Sequence, residues 1–99
     1  MASTAAFDAA AYLDTPEAQA EFVAAALETG DRAHIASALG VVARARGMTA
    51  IAKDAGLSRE ALYRALSEDG DPRLSTLLGV MKALGLHLST APADTSEAA

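Results

Sequence analysis

The residues with the richest chemistry lie between Met48 and Ser67. The run reads Met-Thr-Ala-Ile-Ala-Lys-Asp-Ala-Gly-Leu-Ser-Arg-Glu-Ala-Leu-Tyr-Arg-Ala-Leu-Ser. At about 100° per residue on a helix opening after Ser58, its last nine residues split into two faces. Arg59, Glu60, Tyr63, Arg64 and Ser67 share one side, and Ala61, Leu62, Ala65 and Leu66 the other. The polar side carries two guanidinium forks, a carboxylate, a phenol and a hydroxyl. Arginine pairs bidentately with guanine, and a helix fits a major groove about 12 Å wide. Free N–H groups behind Ser58 suit a phosphate. A helix that merely faces water shows the same split, so the flanking elements decide between the two.

Those elements favour a groove-reading unit. Residues 50–55 predict a short helix capped by Thr49, Gly56 a turn with positive φ, and Ser58 the cap of a helix over 59–67. A short glycine-containing turn between two helices is helix-turn-helix geometry. Small Ala52 lets the helices approach, and Ile51, Leu57 and Leu62 close the wedge between them. Arg59 and Glu60 then face base edges at the helix start. Alternatively, they form an internal charge arrangement that orients Arg59. Tyr63 and Arg64 serve base or backbone, and Tyr63 equally suits covering the wedge. Thr49, Lys53 and Ser67 fix the register on phosphate, and Arg44, Arg46 and Arg73 add long-range attraction.

Around this unit the chain predicts three more helices. Thr15-Pro16 opens a helix that stops at Gly30. Asp31 caps another over 32–46, with Ile35, Leu39 and Val42 as its core stripe. A third spans 74–84, with Leu74, Leu77, Leu78, Met81 and Leu84 on one face. Leu86-His87-Leu88-Ser89-Thr90 alternates apolar and polar, the pattern of a short half-buried strand. Residues 1–13 predict a frayed start with Phe7, Tyr12 and Leu13 pinned to the domain, and residues 91–99 a disordered tail.

Composition agrees with helices. Of the apolar residues 26 are alanine and 12 leucine, against six valines and isoleucines together, which argues against an all-β fold. The 99 residues suffice for one core. With no cysteine, the chain has no disulfide, thiol nucleophile or cysteine-bound zinc. No stretch of about 18 uncharged apolar residues predicts a membrane span. The start carries no base before Arg32, unlike a secretory signal. These features fit a cytoplasmic protein.

The net charge of −5 conceals a partition. Residues 1–31 hold six acids and no base, whereas residues 32–66 hold six bases against two acids. Local charge, not the total, sets where an anion docks. Within the first helix Glu17, Glu21 and Glu28 project within about 40° of one another, and Phe22, Val23 and Leu27 cover much of the rest. His34 and His87 lack a third metal ligand, and no serine has a base at helical reach. Neither a metal, a cofactor nor an enzymatic activity is therefore expected.

Residues 32–86 resemble the lambda-repressor-like helix-turn-helix domain. The longer span from Phe7 to Thr90 resembles the addiction-module antidote proteins. The carrying residues are Phe7-Asp8, Tyr12-Leu13, Ala38-Leu39-Gly40, Ala43-Arg44-Ala45-Arg46-Gly47-Met48, Gly56-Leu57-Ser58-Arg59-Glu60, Leu62-Tyr63-Arg64-Ala65-Leu66 and Ala83-Leu84-Gly85-Leu86. The resemblance implies an antitoxin that binds a double-stranded DNA operator as a homodimer. It would repress its own operon and neutralise a toxin of the RelE/ParE superfamily.

The expected fold is all-α, a five-helix lambda-repressor-like domain with an extra N-terminal helix and a short C-terminal strand. Its parts are an N-terminal arm and helix (1–30), the DNA-binding domain (31–86), and a strand with a tail (87–99). Expected DNA contacts are Thr49, Lys53, Ser58, Arg59, Glu60, Tyr63, Arg64 and Ser67. Expected toxin contacts are Glu17, Glu21, Phe22 and Glu28. Two alternatives stay open: a stand-alone helix-turn-helix regulator, and a helical protein–protein adaptor without DNA binding.

Overall fold

The computed structural model describes residues 13–93, and the expectations for Phe7, Tyr12 and the last six residues lie outside them. Five helices and no strand are present among the described residues. They are α1 (Pro16–Thr29), α2 (Arg32–Arg46), α3 (Met48–Ala55), α4 (Arg59–Ala65) and α5 (Leu74–Ala83).

Side-chain caps set three of the starts. Thr15 Oγ1 accepts from the Ala18 N–H at 3.1 Å, Asp31 Oδ1 from Ala33 at 3.0 Å, and Ser58 Oγ from Ala61 at 3.0 Å. Each hydroxyl or carboxylate satisfies a donor that the first helical turn leaves free. The expected Thr49 cap is not formed. Helix α3 begins two residues earlier, at Met48, with Gly47 at the cap position and no side-chain cap bond. The buried Met48 side chain belongs to the core, which draws its backbone into the helix. Thr49 therefore lies exposed in the first turn.

Short α3 is the hub, packing against α2, α4 and α5, while α1 lies on α2. The core gathers Val23 from α1, Leu39 and Val42 from α2, Met48, Ile51 and Ala52 from α3, Leu62 from α4, and Val80 and Met81 from α5. Leu62 is fully buried, as the aliphatic face of its helix requires. Gly56 has φ 75°, which lets the chain reverse after α3. The Leu57 N–H reaches back to the Ala52 carbonyl at 2.8 Å, closing the α3 C-terminus in a Schellman pattern.

Three expectations need correction. Helix α4 ends at Ala65 rather than Ser67, because the chain turns tightly there and the Gly70 N–H bonds the Ser67 carbonyl at 2.9 Å. Helix α5 buries Val80, Met81 and Leu84, so its core face is turned away from Leu74 and Leu78. Those two leucines are 65% and 46% exposed. Residues 86–90 form no strand: a strand needs a neighbour for its backbone groups, and no described segment pairs with them.

Candidate nucleic-acid interface

Helix α4 owes its position to what lies behind it. Gly40, inside α2, faces the end of α4 so closely that a Cβ there would lie 2.9 Å from the Leu66 carbonyl oxygen. Gly70 is tighter still, since a Cβ would meet the Ala65 and Arg64 carbonyls below any real contact distance. Arg32 donates to the Gly70 carbonyl and, at 3.3 Å, to the Glu68 carbonyl. The loop after α4 is thus clamped to the start of α2. None of Arg32, Gly40 or Gly70 was expected as a positioning residue. A glycine inside a helix costs about 1 kcal/mol against alanine, so Gly40 was the available signal of a close approach.

With the aliphatic side held, the other side faces outward. Ser58, Arg59, Glu60, Tyr63 and Arg64 are all exposed and all belong to one short element. The Arg59 guanidinium lies over the Tyr63 ring, 5.6 Å from its centroid, and Arg59 Nη2 approaches Tyr63 Oη at 3.4 Å. A guanidinium within about 6 Å of an aromatic face gains roughly 0.5–1 kcal/mol at an exposed site. The contact spans one helical turn and holds the fork against a flat surface. Arg59 is therefore oriented by Tyr63. Tyr63 is 41% exposed, while Ile51, Leu57 and Leu62 pack in or against the core.

The remaining candidates are placed less uniformly. Thr49 and Lys53 stand exposed one turn apart on α3. Ser67 is half-buried, and its hydroxyl donates to the Arg64 carbonyl at 3.0 Å, so it caps the end of α4. Arg44 and Arg73 are exposed. Arg46 bonds within the fold, where its Nη1 donates to Gln19 Oε1 and to the Leu84 carbonyl, each at 3.0 Å. Gln19, 5% exposed, donates in turn to the Leu13 carbonyl at 2.8 Å. This chain of bonds ties α1 to the ends of α2 and α5, and a single glutamine in an alanine-rich helix gave no pattern from which to expect it.

On α1, Glu17, Glu21 and Glu28 are exposed. Phe22 and Leu27 are half-buried and pack against the core, so much of the apolar surface expected on this helix is already covered. His34 and His87 are exposed, and no group of three or more metal-ligating side chains occurs among the described residues.

Residues 3–92 match the family described as probable addiction module antidote protein. The chain belongs to that family. An antidote implies a toxin as partner, so the chain falls within toxin–antitoxin systems. The match reaches from before α1 to residue 92, so α1 and the segment after α5 are part of the antidote unit. An uncharacterized protein of Haemophilus influenzae (strain Rd) is 48% identical over 81 residues, covering 82% of this antidote chain and 84% of its own length. No solved structure matches. No single helix among the described residues is long and apolar enough to cross a membrane.

Proposed function

We propose that this antidote is a DNA-binding antitoxin that neutralises a RelE/ParE-type toxin and represses its own operon. It binds DNA through a lambda-repressor-like helix-turn-helix made by α3 and α4. The carrying observation is the Arg59–Tyr63 stack on the exposed face of a helix that follows a three-residue glycine turn. Docked in a major groove, α4 presents Arg59 and Glu60 to base edges and Arg64 to base or backbone, while Thr49, Lys53 and the Ser58 end approach phosphates. Glu17, Glu21 and Glu28 steer a basic toxin toward α1.

The operator complex is a homodimer, because two copies read two half-sites about 34–36 Å apart. Exposed Leu74 and Leu78, one turn apart on α5, give a second copy an apolar seat. Light scattering should give twice the chain mass at micromolar concentration.

The test of DNA binding is a titration of the chain against the duplex upstream of its own reading frame, at several salt concentrations. Affinity should fall steeply with salt, as counterion release requires. No binding to any duplex at low salt would favour the adaptor alternative, for which the acidic N-terminal third is the supporting observation.

A further inference from the structure

A groove of about 780 Å³ runs between α1 and the chain that follows α5. Ala20, Ala24, Leu27 and Glu28 form the α1 wall, Val23 and Met81 lie within it, and residues 86–93 form the opposite wall. That second wall has no regular structure and is exposed from His87 onward. The Leu86 N–H bonds the Met81 carbonyl at 2.8 Å. Beyond it, no backbone group of residues 87–93 has a backbone partner among the described residues. The segment nevertheless alternates Leu86, His87, Leu88 and Ser89, and Leu88 is 39% exposed. A groove with one apolar helical wall and one wall whose backbone groups have no backbone partner among the described residues suits an added strand. Main-chain bonds would supply affinity, and alternate side chains would enter the groove.

The charge around the groove selects the occupant. Residues 13–31 carry Asp14, Glu17, Glu21, Glu28 and Asp31 and no base. A nucleic acid is repelled there. A second copy docked on the same wall would set these acids against their own kind, which costs rather than stabilises. A basic protein meets complementary potential.

We propose, on the basis of the antitoxin function above, that this groove takes an extended segment of the toxin. The segment adds as a strand to residues 87–92. Its apolar side chains lie against Ala20, Ala24 and Leu27, and its basic ones face Glu28 and the stripe beyond.

The experiment uses the full chain and the toxin encoded beside its gene. Ala24→Trp fills the groove from an exposed helical position, and Ala25→Trp adds the same bulk on α1 outside it. Ala24→Trp should weaken toxin binding about tenfold or more, whereas Ala25→Trp leaves it unchanged. Neither should alter thermal stability or duplex binding. Hydrogen exchange should show alternate amides among residues 87–91 protected in the toxin complex and open in the free chain, Pro92 having no amide hydrogen to follow. Unchanged toxin affinity in Ala24→Trp, or equal losses in both variants, would overturn the groove while leaving the antitoxin function standing. So would amides already protected in the free chain, which would mark a second copy or the chain's own remaining residues as the occupant. A toxin that does not bind the unmodified chain at all would overturn both proposals.

Discussion

Helix α1 and helix α4 are built on one plan with opposite charge. Each buries one side in the shared core, through Val23 and Ala26 in α1 and Leu62 in α4. Each turns a charged stripe outward, three glutamates on α1 and two arginines with Glu60 on α4. The net charge of −5 averages these stripes and describes neither. A protein of this size can thus carry an anion-seeking and a cation-seeking surface on one core, because a Debye length of about 8 Å at physiological salt lets each act locally. The two helices also differ in support. Behind α4 the backbone is locked by Gly40, Gly70 and Arg32. Helix α1 is joined by side-chain packing and by the single Arg46–Gln19 hydrogen bond.

The largest effect should come from breaking the core beneath the basic face. Leu62→Ala removes a fully buried side chain at the junction of α4 with the hub. Truncation of a buried leucine costs about 2–5 kcal/mol. That is much of the stability of a domain this small. Thermal unfolding should shift by many degrees, and a shift of one or two would mean that α4 is not anchored by this residue.

Next in size is the loss of Arg59 itself. Arg59→Ala should weaken specific DNA binding by about 1–3 kcal/mol and relax selection at one base pair. Stability should hardly change, since the side chain is exposed and its stack on Tyr63 is worth roughly 0.5–1 kcal/mol. Unaltered affinity and base preference would leave the stack as a surface contact and remove the basic half of the contrast.

What was legible in the sequence followed from local rules. Thr15, Asp31 and Ser58 were readable as caps because a short polar side chain before an apolar period can bond a free N–H of the first turn, although the same rule failed at Thr49, where Met48 is drawn into the helix. The burial of Leu62 and the exposure of Arg59 followed from periodicity alone. Long-range geometry was not legible. Leu74 and Leu78 looked like core because leucine at helical spacing does not reveal which side meets a neighbour, and Val80 takes that place. Residues 86–90 alternate like a strand, yet alternation specifies only a face and not the partner that completes a ladder. The clamp by Arg32 joins residues 36 and 38 positions apart, beyond any local pattern. Of the site, the exposed face was read from spacing, but the stacking of Arg59 on Tyr63 needed the rotamers.

A smaller effect should appear where the two regions are joined. Arg46→Met keeps the aliphatic stem and removes the guanidinium that bonds Gln19 Oε1 and the Leu84 carbonyl. Gln19 is buried, so its oxygen would lose its partner. An unsatisfied buried polar group costs about 1–3 kcal/mol. The Arg46 end is solvent-accessible, so water can replace part of the bond and the loss should be near 1 kcal/mol. Hydrogen exchange should rise in α1 more than in α3 and α4. A uniform rise across the chain would show that α1 unfolds with the rest and has no separate attachment.

The smallest effect on the fold should accompany the reversal of the acidic stripe. Glu17, Glu21 and Glu28 are exposed, and changing all three to lysine touches no buried group. Surface substitutions of this kind usually stay within about 0.5 kcal/mol each. Glu17 lies in the first turn of α1, where a lysine opposes the helix dipole, so a small part of any loss would arise there. DNA affinity should be nearly unchanged, because the stripe belongs to a different helix from the basic face. Association with a basic toxin should respond quite differently. Long-range attraction sets encounter rates, and replacing it with repulsion should slow association markedly at low salt, with the difference shrinking as salt rises. Stopped-flow mixing of the triple variant with the toxin would measure this. Equal rates for variant and parent at low salt would make the acidic stripe a merely solvated face, and the contrast between α1 and α4 would then lie in charge without a second partner behind it.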